Sequence, residues 1–370
     1  MNNLVTFNDL SRIHEPIKKE VLSEFEKVID NSQFVLNSDI KKFEENFAKY
    51  TNSKYVISCA NGTDAIELIL RALDISDGDE VILPANTFIA TALAVTRTGA
   101  KPIFVDNDDY YLISCDDIQK YINKNTKAII GVHLYGQQAN NLELSTIAKK
   151  NNLHYIEDSA QAHGSQQNNR SPGFKGIAAA YSFYPGKNLG AWGDGGAVST
   201  NNKLLAQKIE KLRNWGSSKK YIHNSLGYNS RLQPIQGIVL NKKLKYLDEW
   251  TMERNSVAEK YLQGFSENKK IVLPQLKNKN YHAWHLFVIR VNQRRKVVRE
   301  LDNLGIQTVI HYPIPIHRQK AYKNHQQYNS NIKNVDYYSS KIVSLPIFPK
   351  MTRKEIDLTI KYVNLAVSKI

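Results

Sequence analysis

Ile156-Glu157-Asp158-Ser159-Ala160-Gln161-Ala162-His163-Gly164 decides the fold of this chain, because it reads as a buried strand that ends on a carboxylate. His154-Tyr155-Ile156 supplies the apolar, β-rich run, and Asp158 stands at its C-terminal end. In open α/β sheets that end of a strand is where ligands gather. Upstream, Tyr55-Val56-Ile57-Ser58, Val81-Ile82-Leu83, Pro102-Ile103-Phe104-Val105-Asp106 and Ala128-Ile129-Ile130-Gly131-Val132 repeat the pattern, each followed by a helix-patterned stretch. Between the first two runs, Ile66, Ile69, Leu70 and Leu73 follow helical spacing, and that helix starts at Gly62-Thr63-Asp64. The alternation predicts an α/β fold with a mainly parallel sheet sandwiched by helices from about Tyr55 to Thr200.

After Asn201 the pattern turns helical through Lys211 and again from Leu244 to Tyr261. The tail reads as a strand at Trp284-His285-Leu286-Phe287-Val288-Ile289, a helix from Lys296 to Asn303 ended by Gly305, a second strand through His311, and a last helix from Arg353. A large domain over residues 1–245 and a smaller C-terminal α+β domain over residues 246–370 follow as the expected organisation.

Composition narrows the function classes. The chain has 370 residues, 42% of them hydrophobic, as expected of an ordinary soluble globular protein. Met1-Asn2-Asn3-Leu4-Val5-Thr6 lacks the basic-then-apolar order of a secretory leader, and no apolar run approaches the length of a bilayer, so a cytoplasmic protein without a membrane span is expected. Cys59 and Cys115, the only two cysteines, suit a reducing compartment, and no metal-ligand set has a recognisable spacing. The net charge of +15 would attract polyanions. Its basic residues are dispersed in pairs such as Lys18-Lys19 and Arg294-Arg295, which favours a solvated cationic surface or steering of a phosphorylated substrate over nucleic-acid binding.

A second segment turns the carboxylate into chemistry. Ser182-Phe183-Tyr184-Pro185-Gly186-Lys187-Asn188-Leu189-Gly190 carries an aromatic strand into a Gly-bracketed turn that presents one lysine. Most lysines are surface residues, but partial burial in such a turn would depress the amine's pKa and make it nucleophilic toward an aldehyde. Asp158 entering a core unpaired would be costly, so it needs either a buried arginine or a protonated pyridine nitrogen. A lysine for a Schiff base and an acid for a ring nitrogen are the two groups that pyridoxal 5′-phosphate (PLP) requires. Gly62 and Thr63, opening a helix after a strand, would offer free N–H groups to a phosphate, although Asn61 or Thr63 also reads as a simple N-cap. Ser182 would add a hydroxyl, Gln161 a hydrogen bond to the cofactor's phenolic oxygen, and Phe88 a face for its ring, against the commoner reading of such an aromatic as core.

These segments, with Asn86-Thr87-Phe88, His133-Leu134-Tyr135-Gly136-Gln137, Gly193-Asp194-Gly195-Gly196-Ala197, Gly227-Tyr228-Asn229-Ser230-Arg231-Leu232 and His311-Tyr312-Pro313-Ile314-Pro315, resemble the DegT-type nucleotide-sugar aminotransferases. These are fold-type I PLP enzymes of the aspartate aminotransferase superfamily, and the resemblance runs from about residue 30 to the C-terminus. It implies a homodimer with shared active sites. Lys187 would form the Schiff base, Asp158 would pair with the ring nitrogen, and Asn229 would reach the phosphate of the neighbouring subunit's cofactor. Tyr184, Tyr221, His311 and Tyr312 would lie near the sugar or its diphosphate. Asn61 and Ser159 stand where many relatives have Ser and Ala, and neither change disturbs the cofactor contacts. Retention of Lys187, where sugar dehydratases of the family have His, implies transamination with L-glutamate as donor and 2-oxoglutarate as product. The Ser182–Gly190 segment is more similar to the C-3 aminotransferases acting on dTDP-3-keto-6-deoxyhexoses, in deoxyamino-sugar biosynthesis for cell-surface polysaccharide, than to the C-4 group. A C-4 keto-sugar or ketocyclitol aminotransferase is the alternative, a nucleic-acid-binding regulator on an inactive PLP fold a remote one, and no residue separates galacto from gluco substrates.

Overall fold

The computed structural model describes residues 4–277, 280–328 and 332–369. Its centre is a seven-stranded sheet in the order Tyr55–Cys59, Gly196–Thr200, Ala178–Ser182, His154–Asp158, Thr126–Val132, Glu80–Pro84, Lys101–Val105. Only Gly196–Thr200 runs against its neighbours. The five strands expected from the apolar runs all form, each extended by a residue or two at one end or both, except that Lys101–Val105 stops before Asp106.

Alternation along each strand sends successive side chains to opposite faces, and both faces are covered. Val81, Leu83, Ile130, Ile156, Ala178 and Ala180 pack into one core with Ile66 and Leu70 of the helix Gly62–Ala72 and with Val95 of the helix Ile89–Thr98. Their neighbours Ile82, Ile129 and Tyr155 face the other way, onto Leu144 and Ala148 of the helix Asn141–Lys150. On that second face, Ala179, Tyr181 and Phe183 meet Phe43 and Phe47 of the helix Ser38–Thr51. Asn37 caps this helix, its side-chain oxygen accepting from the N–H groups of Asp39 (3.1 Å) and Ile40 (3.2 Å).

The C-terminal part holds a three-stranded antiparallel sheet, with Phe287–Val291 between Ile271–Val272 and Ile342–Leu345, packed by the helices Leu247–Phe265, Arg294–Asn303 and Arg353–Ser368. The expected Trp284–Ile289 strand thus begins three residues later. The strand expected through His311 does not form. Val309 makes a single bridge to Ser344, and the prolines at 313 and 315 cannot donate to a ladder; Ile342–Leu345 takes the edge instead. The helical stretch expected from Leu244 to Tyr261 forms as Leu247–Phe265, and a further helix, Pro234–Leu244, precedes it. A second apolar core gathers Val257 onward together with Val5, which bridges to Ile306. No helix of the described residues is long and apolar enough to cross a membrane.

Candidate active site

Asp158 ends its strand almost fully buried, and the groups that hydrogen-bond to it are neutral. One carboxylate oxygen accepts from the Thr91 hydroxyl (2.8 Å) and the other from the Ala160 N–H (3.1 Å). Thr91 is held in turn by Thr87, 2.8 Å away. No lysine or arginine closes an ion pair on Asp158 among the described residues. Hydrogen bonds keep such a buried carboxylate soluble in the protein, but its charge still lacks a counter-ion at contact distance.

The neighbouring strand Ala178–Ser182 runs parallel and delivers Lys187 to the same cavity, about 740 Å³ in volume. Between Ser182 and Gly190 the chain makes a tight turn, closed by Lys187 N–H to Tyr184 O (2.8 Å) and Ala191 N–H to Phe183 O (2.8 Å). Gly190 is required there, because a Cβ would lie 2.2 Å from the Pro185 carbonyl oxygen. Burial lowers the Lys187 pKa to about 8, against the opposing pull of Asp158. The imidazoles nearby are all neutral. Burial, reinforced by Lys187, pushes His163 to about 3 and His311 to about 4, and lowers His285 as well. Near neutral pH, Lys187 is therefore the group of this cluster whose charge changes.

Gly62 opens the helix Gly62–Ala72, with Asn61 as its cap: the Asn61 side-chain oxygen accepts from Asp64 N–H at 2.9 Å. The bland reading of Asn61 is what the structure shows. The N–H groups of Gly62 and Thr63 take no partner among the described residues, and both residues line the cavity beside Ser182. A Cβ on Gly62 would come within 2.6 Å of the Ser182 Cβ, so glycine allows the helix terminus and the Ser182 hydroxyl to converge. Phe88 is 52% exposed and lines the cavity, which removes the core reading. Its ring stands 5.5 Å from that of Tyr312. Gln161 accepts from Tyr135 N–H (2.7 Å) and donates to the Tyr312 hydroxyl (3.0 Å). Tyr184, 60% exposed, and His311, whose Nδ1 lies 2.9 Å from the Ser344 hydroxyl, complete the wall.

Two expected residues are not brought in. Asn229 lines a separate small cavity with Asp64 and Arg97, its side-chain oxygen accepting from Arg231 at 2.5 Å. Tyr221 stands on the hairpin Ser217–His223, 84% exposed and outside the large cavity. Conversely, Phe7, Thr91, Arg254 and His285 line the cavity without a sequence motif of their own. Thr91 was findable, since it stands in the first turn of the helix Ile89–Thr98 that directly follows Phe88; the others arrive from distant segments.

The donor set fits PLP. An unpaired buried carboxylate suits a protonated ring nitrogen, a lysine of lowered pKa suits an aldehyde, and a bare helix terminus beside a hydroxyl suits a phosphate. Residues 15–364 match the DegT/DnrJ/EryC1/StrS aminotransferase family. The chain belongs to that family. The match begins earlier than the motifs alone suggest, since it takes in most of the helix Ser11–Asp30, which carries none of them. The chain is 45% identical over 362 residues to the dTDP-3-amino-3,6-dideoxy-alpha-D-galactopyranose transaminase of Aneurinibacillus thermoaerophilus, covering 98% of this chain and 99% of that one. Among solved structures, DesV of Streptomyces venezuelae in complex with a ketimine intermediate superposes with a TM-score of 0.97 at 37% identity, over 100% of both chains. NtdA of Bacillus subtilis, with bound cofactor PMP, does so with a TM-score of 0.93 at 30% identity, over 100% of this chain and 86% of that one. The enzyme is thus a PLP-dependent aminotransferase acting on nucleotide-linked keto-deoxysugars.

Proposed function

We propose that this aminotransferase converts a dTDP-3-keto-6-deoxyhexose into the dTDP-3-amino-3,6-dideoxyhexose, with L-glutamate as amino donor and 2-oxoglutarate as the released acid. The observation that carries the reading is Asp158, buried with no ion pair at contact distance among the described residues, in one cavity with Lys187. The Aneurinibacillus transaminase, whose printed product is a 3-amino sugar, supports the choice of carbon.

When bound, PLP supplies an electron sink for the carbanion formed at the substrate carbon. The chain's own groups do the rest. Asp158 would hold the ring nitrogen protonated, with Thr91 and Ala160 N–H keeping its two oxygens aimed. Gly62, Thr63 and Ser182 would hold the phosphate, and Phe88 would face the ring. Gln161, oriented by Tyr135 N–H, would serve the phenolic oxygen. Lys187, with a pKa near 8, takes the proton from the donor's α-carbon and later returns one to C-3 of the sugar, serving as base and then acid at ordinary pH. Tyr184, His311 and Tyr312 face the sugar. Asn229 and Tyr221 act in the cavity of a second copy within a homodimer, a reading supported by the exposure of Tyr221, Trp215 and Leu226 around their hairpin. The chain divides into a cofactor-binding part, residues 1–245, and a smaller part, residues 246–370, and works in the cytoplasm, where its two unpaired cysteines stay reduced.

The test is a panel of dTDP- and UDP-linked 3-keto and 4-keto sugars assayed with glutamate, with NMR of the aminated product. Nitrogen at C-3 of a dTDP-linked product is expected. Nitrogen at C-4 overturns the regiochemistry, and preference for a UDP sugar overturns the nucleotide.

A further inference from the structure

Two adjacent lysines on the helix Pro234–Leu244 have opposite surroundings. Lys242 reaches outward to Glu20 (2.9 Å) and Glu24 (2.6 Å). Lys243 is fully buried, and among the described residues no carboxylate pairs with it. Its Nζ donates to the Gly190 carbonyl oxygen at 2.6 Å and lies 2.9 Å from His14 Nε2 on the helix Ser11–Asp30. Burial lowers the Lys243 pKa to about 7, and burial together with Lys243 lowers His14 to about 4. His14 is thus a neutral ring that accepts from the amine through Nε2. An amine so placed is costly in an interior, where an apolar side chain would serve packing better.

Gly190 is the last residue of the turn that presents Lys187, and it is buried. Among the described residues the Lys243 amine is the donor that satisfies it. The start of the turn is held by the Phe183 and Tyr184 carbonyls, and its middle by Asn188, whose amide donates to Ala283 O at 2.8 Å and whose oxygen lies 3.2 Å from His285 Nδ1. Gly190 has no side chain with which to anchor itself, and the tight approach to Pro185 forbids one.

We propose that Lys243 is a positioning residue for the reaction: clamped between Gly190 O and His14 Nε2, it fixes the far end of the Lys187 turn and so sets where the reacting amine stands in the cavity. The inference rests on Lys187 being the reacting amine. Lys243 acts through the backbone, since the pKa of Lys187 answers to burial and to Asp158. The chemistry tolerates little slack, because displacement of a reacting group by about 1 Å costs on the order of a hundredfold in rate.

Lys243→Met keeps an unbranched side chain one heavy atom shorter and removes the donor. In the apoprotein, hydrogen exchange at the Lys187 and Ala191 amides should accelerate roughly tenfold, while exchange in the strand Glu80–Pro84 stays as in the parent protein. In the holoenzyme, kcat should fall roughly tenfold with both KM values unchanged, and the pH midpoint of the cofactor's absorbance should shift. Unchanged turn exchange, or acceleration spread evenly over the protein, overturns the proposal. Should Lys243→Met fail to fold, His14→Leu decides, against His14→Gln, which keeps an acceptor. Faster exchange at Lys187 and Ala191 in the leucine variant alone supports the clamp, and equal exchange in both refutes it. A catalytic lysine elsewhere would show differently: Lys187→Ala would retain turnover while the turn's exchange still answered to Lys243.

Discussion

The turn Ser182–Gly190 and the hairpin Ser217–His223 both carry residues expected to meet reactants, and the chain holds them in opposite ways. The turn is fastened at its start, middle and end by hydrogen bonds to elements as distant as Ala283 and Lys243. The hairpin leaves Tyr221 84% and the following Leu226 94% exposed. Where the fold supplies all the partners, burial depresses an amine's pKa and fixes its position; where it does not, side chains stay in solvent.

The largest expected effect tests the first half of that contrast. Lys187→Ala should lower turnover by about a thousandfold or more and remove the absorbance of the lysine-linked cofactor. Retained turnover would move the chemistry out of the turn. Asp158→Asn keeps the shape but cannot hold a ring nitrogen protonated; kcat should drop roughly a hundredfold, measured under saturating glutamate and sugar. Gly62→Ala forces a Cβ against Ser182, and overpacking of about 1–3 kcal/mol translates into roughly ten- to hundredfold weaker PLP retention, read by titrating the apoprotein.

The pH dependence sharpens the comparison further. Because the Lys187 pKa is lowered, its neutral, nucleophilic form appears at lower pH than in an ordinary lysine. Capture of PLP by the apoprotein should therefore rise about tenfold from pH 7 and level off above about 8. A plateau only beyond pH 10 would mean a solvated amine. The smallest effect belongs to the hairpin: Tyr221→Ala should leave the stability of the fold within about 0.5 kcal/mol while raising the KM for the nucleotide sugar roughly fivefold. A lower melting temperature with an unchanged KM would make the hairpin a structural element of its own chain.

The cofactor side of the cavity was legible because its residues lie at strand ends and turns, where residue type and position along the chain nearly determine location. Asp158 and Ser182 are the last residues of their strands, and Gly62 opens a helix shortly after the strand Tyr55–Cys59. The C-terminal part was read less well. The strand Ile342–Leu345 contains a serine and is short, so its apolar run is weak, and it wins the sheet edge from the His311 segment only through pairing with Phe287–Val291. Asn61 was ambiguous because an amide that caps a helix and one that faces a phosphate look alike until the donor at Asp64 is seen.

Residue order alone determined the alternating strands and helices, with the carboxylate at 158 on a strand end and the amine at 187 in the turn after a strand, because period-two burial and chain continuity are local properties. Only the tertiary structure decided that Thr91 and not a cation steadies Asp158, that Arg254 and His285 join the cavity, and that an interior lysine reaches Gly190. Those contacts join residues from 53 to 97 positions apart, as His285 and Asn188 or Lys243 and Gly190 are. Over such separations it is packing, and no pattern along the chain, that chooses the partner.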